Sequence, residues 1–192
     1  MSEDRDAGAL LVTIGHGKRS IGKMIDLLKN YDIAYVADVR SAPYSRYQPD
    51  FSHDALKRQL EAQGIGYLPM GEELGGRPDD PGCYDAQGRV DYDACRQRSE
   101  FKHGIERLRS AQEQGLRVLL LCSESKPENC HRSKLIGVAL ADQGIELVHL
   151  DEDDRLVSQA EVMERLSGGQ LSFLPDPPVQ AARSRRRYAR GE

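Results

Sequence analysis

The sequence predicts an α/β domain built around a mostly parallel β-sheet. Five short apolar runs, rich in β-branched residues, have the character of buried strands, and amphipathic segments with helical spacing separate them. This alternation is typical of parallel strands joined by crossover helices. We therefore predict three layers, with a sheet of about five strands between helices on both of its faces.

Each predicted element has a local signal. The predicted strands cover residues 9–14, 33–39, 65–68, 117–121 and 145–150. The predicted helices cover residues 20–30, 53–63, 93–114, 130–143 and 159–166. Ser20 and Ser52 are typical helix caps, and Gly64 favours the end of the second helix. Residues 70–91 form a long polar segment without a predicted element, which has the composition of either a lid or a solvated loop.

The chain length suits a single domain. We predict that residues 9–166 form this domain, that residues 1–8 are a flexible N-terminus, and that residues 167–192 are a disordered tail rich in proline and arginine. No run of about 18 apolar residues occurs, so we predict no membrane span. The acidic N-terminus lacks the apolar segment of a signal peptide, which favours the cytoplasm.

The charge is distributed unevenly along the chain. The formal net charge is −4, but residues 183–192 hold five arginines and one acid and therefore carry +4. The remainder of the chain carries −8. A short basic tail on an acidic body can contact nucleic acid or another acidic surface, and it can equally be a solvated tail without a partner.

Reactive side chains follow two of the predicted strands. Cys122 ends the fourth strand, and Cys130, His131, Arg132 and Ser133 stand together at the start of the next helix. The second strand ends similarly, in Asp38, Arg40 and Ser41. In open α/β sheets, ligands bind in the crevice outside the carboxyl ends of the strands. The sequence therefore predicts a site at this edge of the sheet.

The candidate residues divide by chemistry into two groups. The acid, base and nucleophile candidates are His16, Asp38, Glu124, Cys130 and His131. Cys122 is an alternative nucleophile. The candidates for binding an anion or a phosphorylated substrate are Arg40, Ser41, Arg46, Arg132 and Ser133. Two of these residues have structural alternatives: His16 can cap a turn, and Asp38 can form an ion pair with Arg40. Arg46 lies between Tyr44 and Tyr47, a combination that suits a nucleotide or nucleic acid.

The four cysteines favour free thiols over a disulfide scaffold. Cys83 and Cys95 lie in a polar segment and have no evident role. The spacing of Cys122, Cys130 and His131 raises a metal site as an alternative, although zinc sites usually contain closer cysteine pairs. The sequence identifies no cofactor.

The chain resembles a bacterial family of unknown function, DUF488, over roughly residues 10–150. The resemblance depends on Thr13-Ile14-Gly15-His16, Asp38-Val39-Arg40-Ser41 with Pro43, Ser45 and Arg46, Tyr67-Leu68 with Leu74-Gly75-Gly76, and Leu121-Cys122 with Glu124 and Cys130-His131-Arg132. It implies a Rossmann-like α/β domain with a polar pocket at these motifs, and it implies no reaction.

Three hypotheses for function follow. The first is an enzyme acting on a phosphorylated or nucleotide-like substrate, including one within nucleic acid. The second is a binding module without catalysis that recognises a nucleotide or nucleic acid with help from the basic C-terminal tail. The third is a metal-binding or redox-sensing domain built on Cys122, Cys130 and His131.

Overall fold

A computed structural model describes residues 11–167 and 183–188 of the chain. The predictions for residues 1–8 and for most of the C-terminal tail therefore fall outside the described residues.

A six-stranded, mostly parallel sheet forms the centre of the domain. The strands within the described residues are β1 (Leu11–Gly15), β2 (Tyr35–Asp38), β3 (Gly66–Pro69), β4 (Arg89–Asp91), β5 (Val118–Cys122), β6 (Val148–Leu150), β7 (Leu156–Ser158) and β8 (Arg183–Arg187). The central sheet has the order β3-β2-β5-β1-β6-β7. All five predicted strands are present and parallel, and the sixth, β7, pairs antiparallel with β6 at the edge.

Helices cover both faces of the sheet, as predicted. They are α1 (Ile21–Asn30), α2 (His53–Glu61), α3 (Gly71–Leu74), α4 (Tyr92–Gln97), α5 (Ser99–Glu113), a π-helix (Arg132–Gly137), α6 (Val138–Ala141) and α7 (Gln159–Leu166). Short 3-10 turns cover residues 49–51, 81–83 and 127–129. Of the helices that the structure describes, none is long and apolar enough to cross a membrane. This architecture is consistent with the predicted three-layer, Rossmann-like α/β fold.

Two predicted helices differ from the observed ones. The segment predicted as one helix over 93–114 contains two helices, because Arg98 adopts an extended conformation between them. The helix predicted from residue 130 begins at Arg132, because Cys130 is extended. Cys130 therefore lies in the loop before the helix, and its position depends on the loop that follows β5.

A second, two-stranded sheet corrects the prediction for part of the tail. The strand β8 pairs antiparallel with β4, and Ser184 Oγ accepts a hydrogen bond of 2.8 Å from the Val90 amide. Residues 183–187 are thus a strand and not the predicted disordered segment. The strand β4 likewise lies inside the predicted irregular segment 70–91. Neither strand has the apolar alternation that would predict it, because four of the five residues of β8 are arginines.

Two hydrophobic cores lie on opposite faces of the sheet. Side chains of α1 and α2 pack on one face, against Val12, Ile14 and Leu119 among others. Side chains of α3, α5, the π-helix and α6 pack on the other face, against Leu11, Ala37 and Leu120 among others. The connection that leaves β2 therefore runs over one face, whereas the connection that leaves the neighbouring β5 runs over the other. This divergence opens a crevice at the carboxyl ends of these two strands.

Candidate active site at the carboxyl ends of β2 and β5

A cleft of about 370 Å³ occupies this crevice. Its walls come from residues 40–42 after β2, residues 76–77 after α3, residues 122–125 and 129–131 after β5, Tyr92, and residues 184–186 and 188 of the C-terminal segment. The cleft therefore combines the predicted strand ends with two segments distant in the sequence.

The glycine-flanked turn after β1 supports the floor of the cleft. The amides of His16 and Gly17 donate hydrogen bonds of 2.8 and 3.1 Å to the carbonyls of Cys122 and Ser123. A Cβ atom at Gly15 would collide with the Glu124 carbonyl, so only glycine permits this approach. The turn thereby fixes the loop that carries Cys122 and Glu124.

Two thiols and an imidazole meet at the bottom of the cleft. The sulfur atoms of Cys122 and Cys130 are 3.2 Å apart. His131 Nδ1 lies 3.9 Å from Cys122 Sγ and 3.7 Å from Cys130 Sγ. All three side chains are buried, with at most 9% of each residue exposed, yet all three line the cleft. We refer to these three residues as the thiol–imidazole cluster.

A backbone hydrogen bond fixes the tautomer of His131. Its Nε2 atom lies 3.0 Å from the carbonyl oxygen of Val39, which can only accept a hydrogen bond. The ring proton of neutral His131 is therefore on Nε2. The lone pair of Nδ1 is left facing the two sulfur atoms, where it can accept a proton or bind a metal ion.

The two thiols have opposite acidities. The hydrogen bond from Cys130, followed by the nearby His131 ring, lowers the pKa of Cys122 well below the ordinary value for a thiol. Burial, and then the hydrogen bond to Cys122, raises the pKa of Cys130. The first proton lost from this pair therefore leaves a thiolate on Cys122, which accepts the remaining hydrogen from Cys130.

A buried cation lies behind the cluster. Arg132 is fully buried, and burial lowers its pKa. Its Nη2 atom donates a hydrogen bond of 2.8 Å to the Ser125 carbonyl, whereas its Nε and Nη1 atoms have no hydrogen-bond partner. No carboxylate among the described residues forms a salt bridge with it. The positive charge of Arg132 therefore favours negative charge on the nearby thiols.

The Asp38–Arg40 pair holds one arginine at the rim. Asp38 Oδ1 and Oδ2 accept hydrogen bonds of 2.8 and 2.6 Å from Nε and Nη2 of Arg40. The Tyr67 hydroxyl donates a further hydrogen bond of 2.8 Å to Asp38 Oδ2. Asp38 is thus fully engaged and does not line the cleft, whereas Arg40 does. Of the described residues, none accepts a hydrogen bond from Arg40 Nη1.

Three further arginines surround the opening of the cleft. Arg77, Arg185 and Arg186 contribute exposed guanidinium groups, and Arg77 lies 5.3 Å from the ring centre of Tyr188. Glu124 is the one carboxylate in the described lining, and its oxygen is 3.8 Å from Arg185. Asp38 offsets the charge of Arg40, and Glu124 offsets that of one rim arginine, so two guanidinium groups remain in excess and give the cleft a positive potential.

A family comparison covers most of this site. The profile described as "Domain of unknown function DUF488" matches residues 20–139, which include β2, β5 and the thiol–imidazole cluster. The chain belongs to the DUF488 family. The searches of curated proteins and of solved structures found no match to the chain. Within this DUF488 protein, Arg185, Arg186 and Tyr188 lie outside the matched region although they line the same cleft.

The DUF488 fold brings five of the predicted site residues to the cleft. These are Arg40, Ser41, Glu124, Cys130 and His131. Ser41 holds the backbone of Arg77 in place, since its Oγ accepts a hydrogen bond of 2.9 Å from the Arg77 amide. Cys122, which the sequence offered only as a metal ligand or alternative nucleophile, completes the cluster.

The other predicted residues lie elsewhere in the DUF488 domain. His16 stacks on Phe51 and hydrogen-bonds to Gln48 at 2.8 Å, and burial, followed by the charge of Arg40, lowers its pKa. Ser133 Oγ donates a 2.5 Å hydrogen bond to the Pro127 carbonyl, which is a structural role. Arg46 is exposed on the loop after β2. These three residues, like Asp38 and Arg132, do not line the cleft.

Sequence reasoning missed the contribution of the C-terminal arginines. Their number indicated a basic tail, but nothing in their spacing indicated pairing with β4 or a position over the cleft. Tyr188, whose amide donates a 2.7 Å hydrogen bond to the Gly88 carbonyl, carried the only aromatic signal in that segment.

Proposed function

We propose that this DUF488 protein is a cytoplasmic enzyme that acts on a phosphorylated or nucleotide-like substrate bound in the cleft. One observation carries the proposal: four arginines converge on a cleft whose floor is a thiol–imidazole cluster. The four free thiols support the cytoplasmic compartment, because a reducing environment keeps cysteines in this form.

The arginines supply the affinity for an anion. One guanidinium group can donate two parallel hydrogen bonds to two oxygen atoms of a phosphate. Hydrogen bonds between charged partners are also stronger than those between neutral partners. Arg40 is held rigidly by Asp38, so it can orient a bound phosphate at little entropic cost. Arg77, Arg185 and Arg186 are more exposed and complete the binding surface from the outer side.

The cluster supplies the reacting group. Cys122 Sγ lies at the floor and is the nucleophile, with His131 Nδ1 as its proton acceptor. Cys130 donates a hydrogen bond to Cys122 and thereby stabilises its thiolate. Glu124, at the rim, lies where it can take part in proton transfer with a bound substrate.

An aromatic loop favours a substrate with a base. Ser41 and Ala42 line the cleft, and the same loop continues to Tyr44 and Tyr47, which are 76% and 91% exposed. Exposed tyrosines are suited to stack on nucleobases. A nucleotide, free or within a single strand, would place its phosphate among the arginines and its base toward this loop.

Binding of inorganic phosphate and of adenosine monophosphate, measured by isothermal titration calorimetry, tests the proposal. We expect the double variant Arg77→Gln/Arg186→Gln to lose roughly tenfold or more in affinity, because two charge-assisted contacts are removed. The matched control is Arg187→Gln on the same strand, which does not line the cleft and should bind as the wild type does. Equal affinities for all three proteins would refute the proposal.

Turnover provides the second readout. A panel of phosphomonoesters, nucleotides and short oligonucleotides should reveal a substrate whose conversion falls at least about a hundredfold in Cys122→Ser. Cys83→Ser, a change at a buried cysteine outside the cleft, should leave turnover intact. Binding without turnover of any member of the panel would favour a non-catalytic nucleotide-binding module.

A further inference from the structure

We infer that Cys122, Cys130 and His131 form a binding site for a single Zn²⁺ ion that opens into the cleft. The inference depends on the geometry of the cluster and not on the proposed substrate. Zinc binding can therefore be tested separately from the binding of a substrate in the cleft.

The three donor atoms lie close to the separations that a zinc ion requires. The distances of 3.2, 3.7 and 3.9 Å define a triangle, and the point equidistant from its corners lies about 2.1 Å from each atom. Zinc binds thiolate sulfur at about 2.3 Å and imidazole nitrogen at about 2.0–2.1 Å. An ion slightly out of the plane of the triangle would therefore reach all three donors, and a shift of the two sulfur atoms apart by about 0.5 Å would bring them to the roughly 3.7 Å separation of thiolates around a tetrahedral zinc ion.

The orientation of His131 is that of a metal ligand. Metal-binding histidines usually donate their second ring N–H to a carboxylate or a backbone carbonyl, which fixes the tautomer and the ring orientation. His131 makes this contact with the Val39 carbonyl at 3.0 Å, and its free Nδ1 lone pair faces both sulfurs. The donor set of two thiolates and one imidazole is one that zinc prefers.

A buried charge behind the cluster is consistent with two deprotonated thiols. Arg132 is fully buried, two of its guanidinium nitrogen atoms have no hydrogen-bond partner, and no described carboxylate forms a salt bridge with it. The positive charge of Arg132 favours the thiolate form of both cysteines, which is the form that binds a metal ion.

The fourth coordination position faces the cleft. All three ligands line the cleft, so an ion among them would be accessible to water or to a substrate atom. Three protein ligands and an open position are typical of catalytic zinc rather than structural zinc. With zinc bound, both sulfurs are ligands, and a group at the fourth position would replace the free Cys122 thiolate as the reacting group.

Cobalt substitution tests the inference on the full-length protein. The chain would be purified under reducing conditions, stripped with a chelator and titrated with Co²⁺ under nitrogen. We expect one equivalent to bind, with a thiolate-to-cobalt charge-transfer band and displacement by one equivalent of Zn²⁺. Cys130→Ser and His131→Ala should each weaken binding by at least about a hundredfold, whereas Cys83→Ser should bind normally.

Alkylation of the unmodified chain gives a readout that does not depend on variant folding. In the folded protein, one equivalent of Zn²⁺ should protect Cys122 and Cys130 from iodoacetamide, as located by peptide mass spectrometry. Labelling of Cys83 and Cys95, measured after the protein is unfolded in denaturant, should be the same with and without zinc. The inference would be overturned if the wild type failed to bind cobalt, or if Cys83→Ser and Cys130→Ser lost cobalt affinity to the same extent. Cobalt binding that is unaffected by Arg77→Gln/Arg186→Gln would support it even if phosphate binding failed.

Discussion

Two buried histidines on the same face of the sheet contrast in how completely their polar atoms are satisfied. His149 accepts a 2.7 Å hydrogen bond from Thr13 Oγ1 at Nδ1 and donates one of 2.7 Å to Gln159 Oε1 from Nε2. His131 also donates from Nε2, to the Val39 carbonyl, but its Nδ1 faces two thiols at 3.7 and 3.9 Å. A thiol is a weak hydrogen-bond donor.

The contrast separates a structural histidine from one available for chemistry. The network of His149 continues from Gln159 Nε2 to the Ser133 carbonyl and so ties β1, β6, α7 and the π-helix together. Every polar atom of that ring is used inside the fold. The lone pair of His131, in contrast, lies at a cleft and beside groups that become ligands or nucleophiles when they lose a proton.

Alanine substitution should produce the largest difference between the two histidines. We expect His149→Ala to lower the free energy of unfolding by about 3 kcal/mol, because it leaves a cavity and unpartnered groups on Thr13 and Gln159. His131→Ala should cost only about 1 kcal/mol in the chelator-treated protein, because water from the cleft can solvate the Val39 carbonyl. Urea unfolding under reducing conditions measures both values, and equal losses would remove the distinction.

Acid should destabilise the fold through the structural histidine. Burial, followed by the charge of Arg132, lowers the pKa of His149 to about 3. The unfolded chain therefore binds a proton near pH 6.5 that the folded chain does not, and stability falls as the pH drops below that value. At pH 5 the loss should be roughly 2 kcal/mol or less.

The variant His149→Gln isolates this effect. Its unfolding free energy should change less than that of the wild type between pH 7 and pH 5, while contributions from other groups stay the same in both proteins. Chemical denaturation at each pH gives the comparison, and parallel pH profiles would show that His149 is not the group responsible.

Two glycines provide a smaller and more selective perturbation. A Cβ atom at Gly137 would collide with the Gln159 side chain, and one at Gly76 would lie 2.7 Å from the His131 ring. We expect Gly137→Ala to cost about 1 kcal/mol of stability without changing cobalt affinity. Gly76→Ala should instead weaken cobalt binding about tenfold with little loss of stability. A loss of cobalt affinity in Gly137→Ala, together with a loss of stability alone in Gly76→Ala, would contradict these roles.

Much of the fold could be predicted because its central strands are continuous apolar runs. The segments 118–122 and 35–38 have this character, and the helices between the strands show helical spacing or a clear cap such as Ser20. The strands β7 and β8 could not be predicted. The strand β7 has only three residues, and four of the five residues of β8 are arginines. The pairing of both strands therefore depends on distant partners and not on a pattern in their own sequence.

The candidate site could be predicted only where it follows the strand ends. Cys130, His131, Arg40 and Glu124 lie near two strand termini, and the parallel sheet brings those termini to one edge. The role of Asp38 could not be decided, because a spacing of two residues suits both an ion pair with Arg40 and a catalytic pair. Arg185 and Arg186 reach the cleft through the pairing of β8 with β4, which leaves no local signal.

X-ray absorption at the zinc edge of the zinc-loaded, full-length protein tests most directly whether the cluster acts as one centre. We expect two sulfur neighbours at about 2.3 Å together with one imidazole nitrogen. Cys130→Ser should lose one of the sulfurs, while Cys83→Ser should keep both. A spectrum with only nitrogen and oxygen neighbours, or with two sulfurs that persist in Cys130→Ser, would contradict the account.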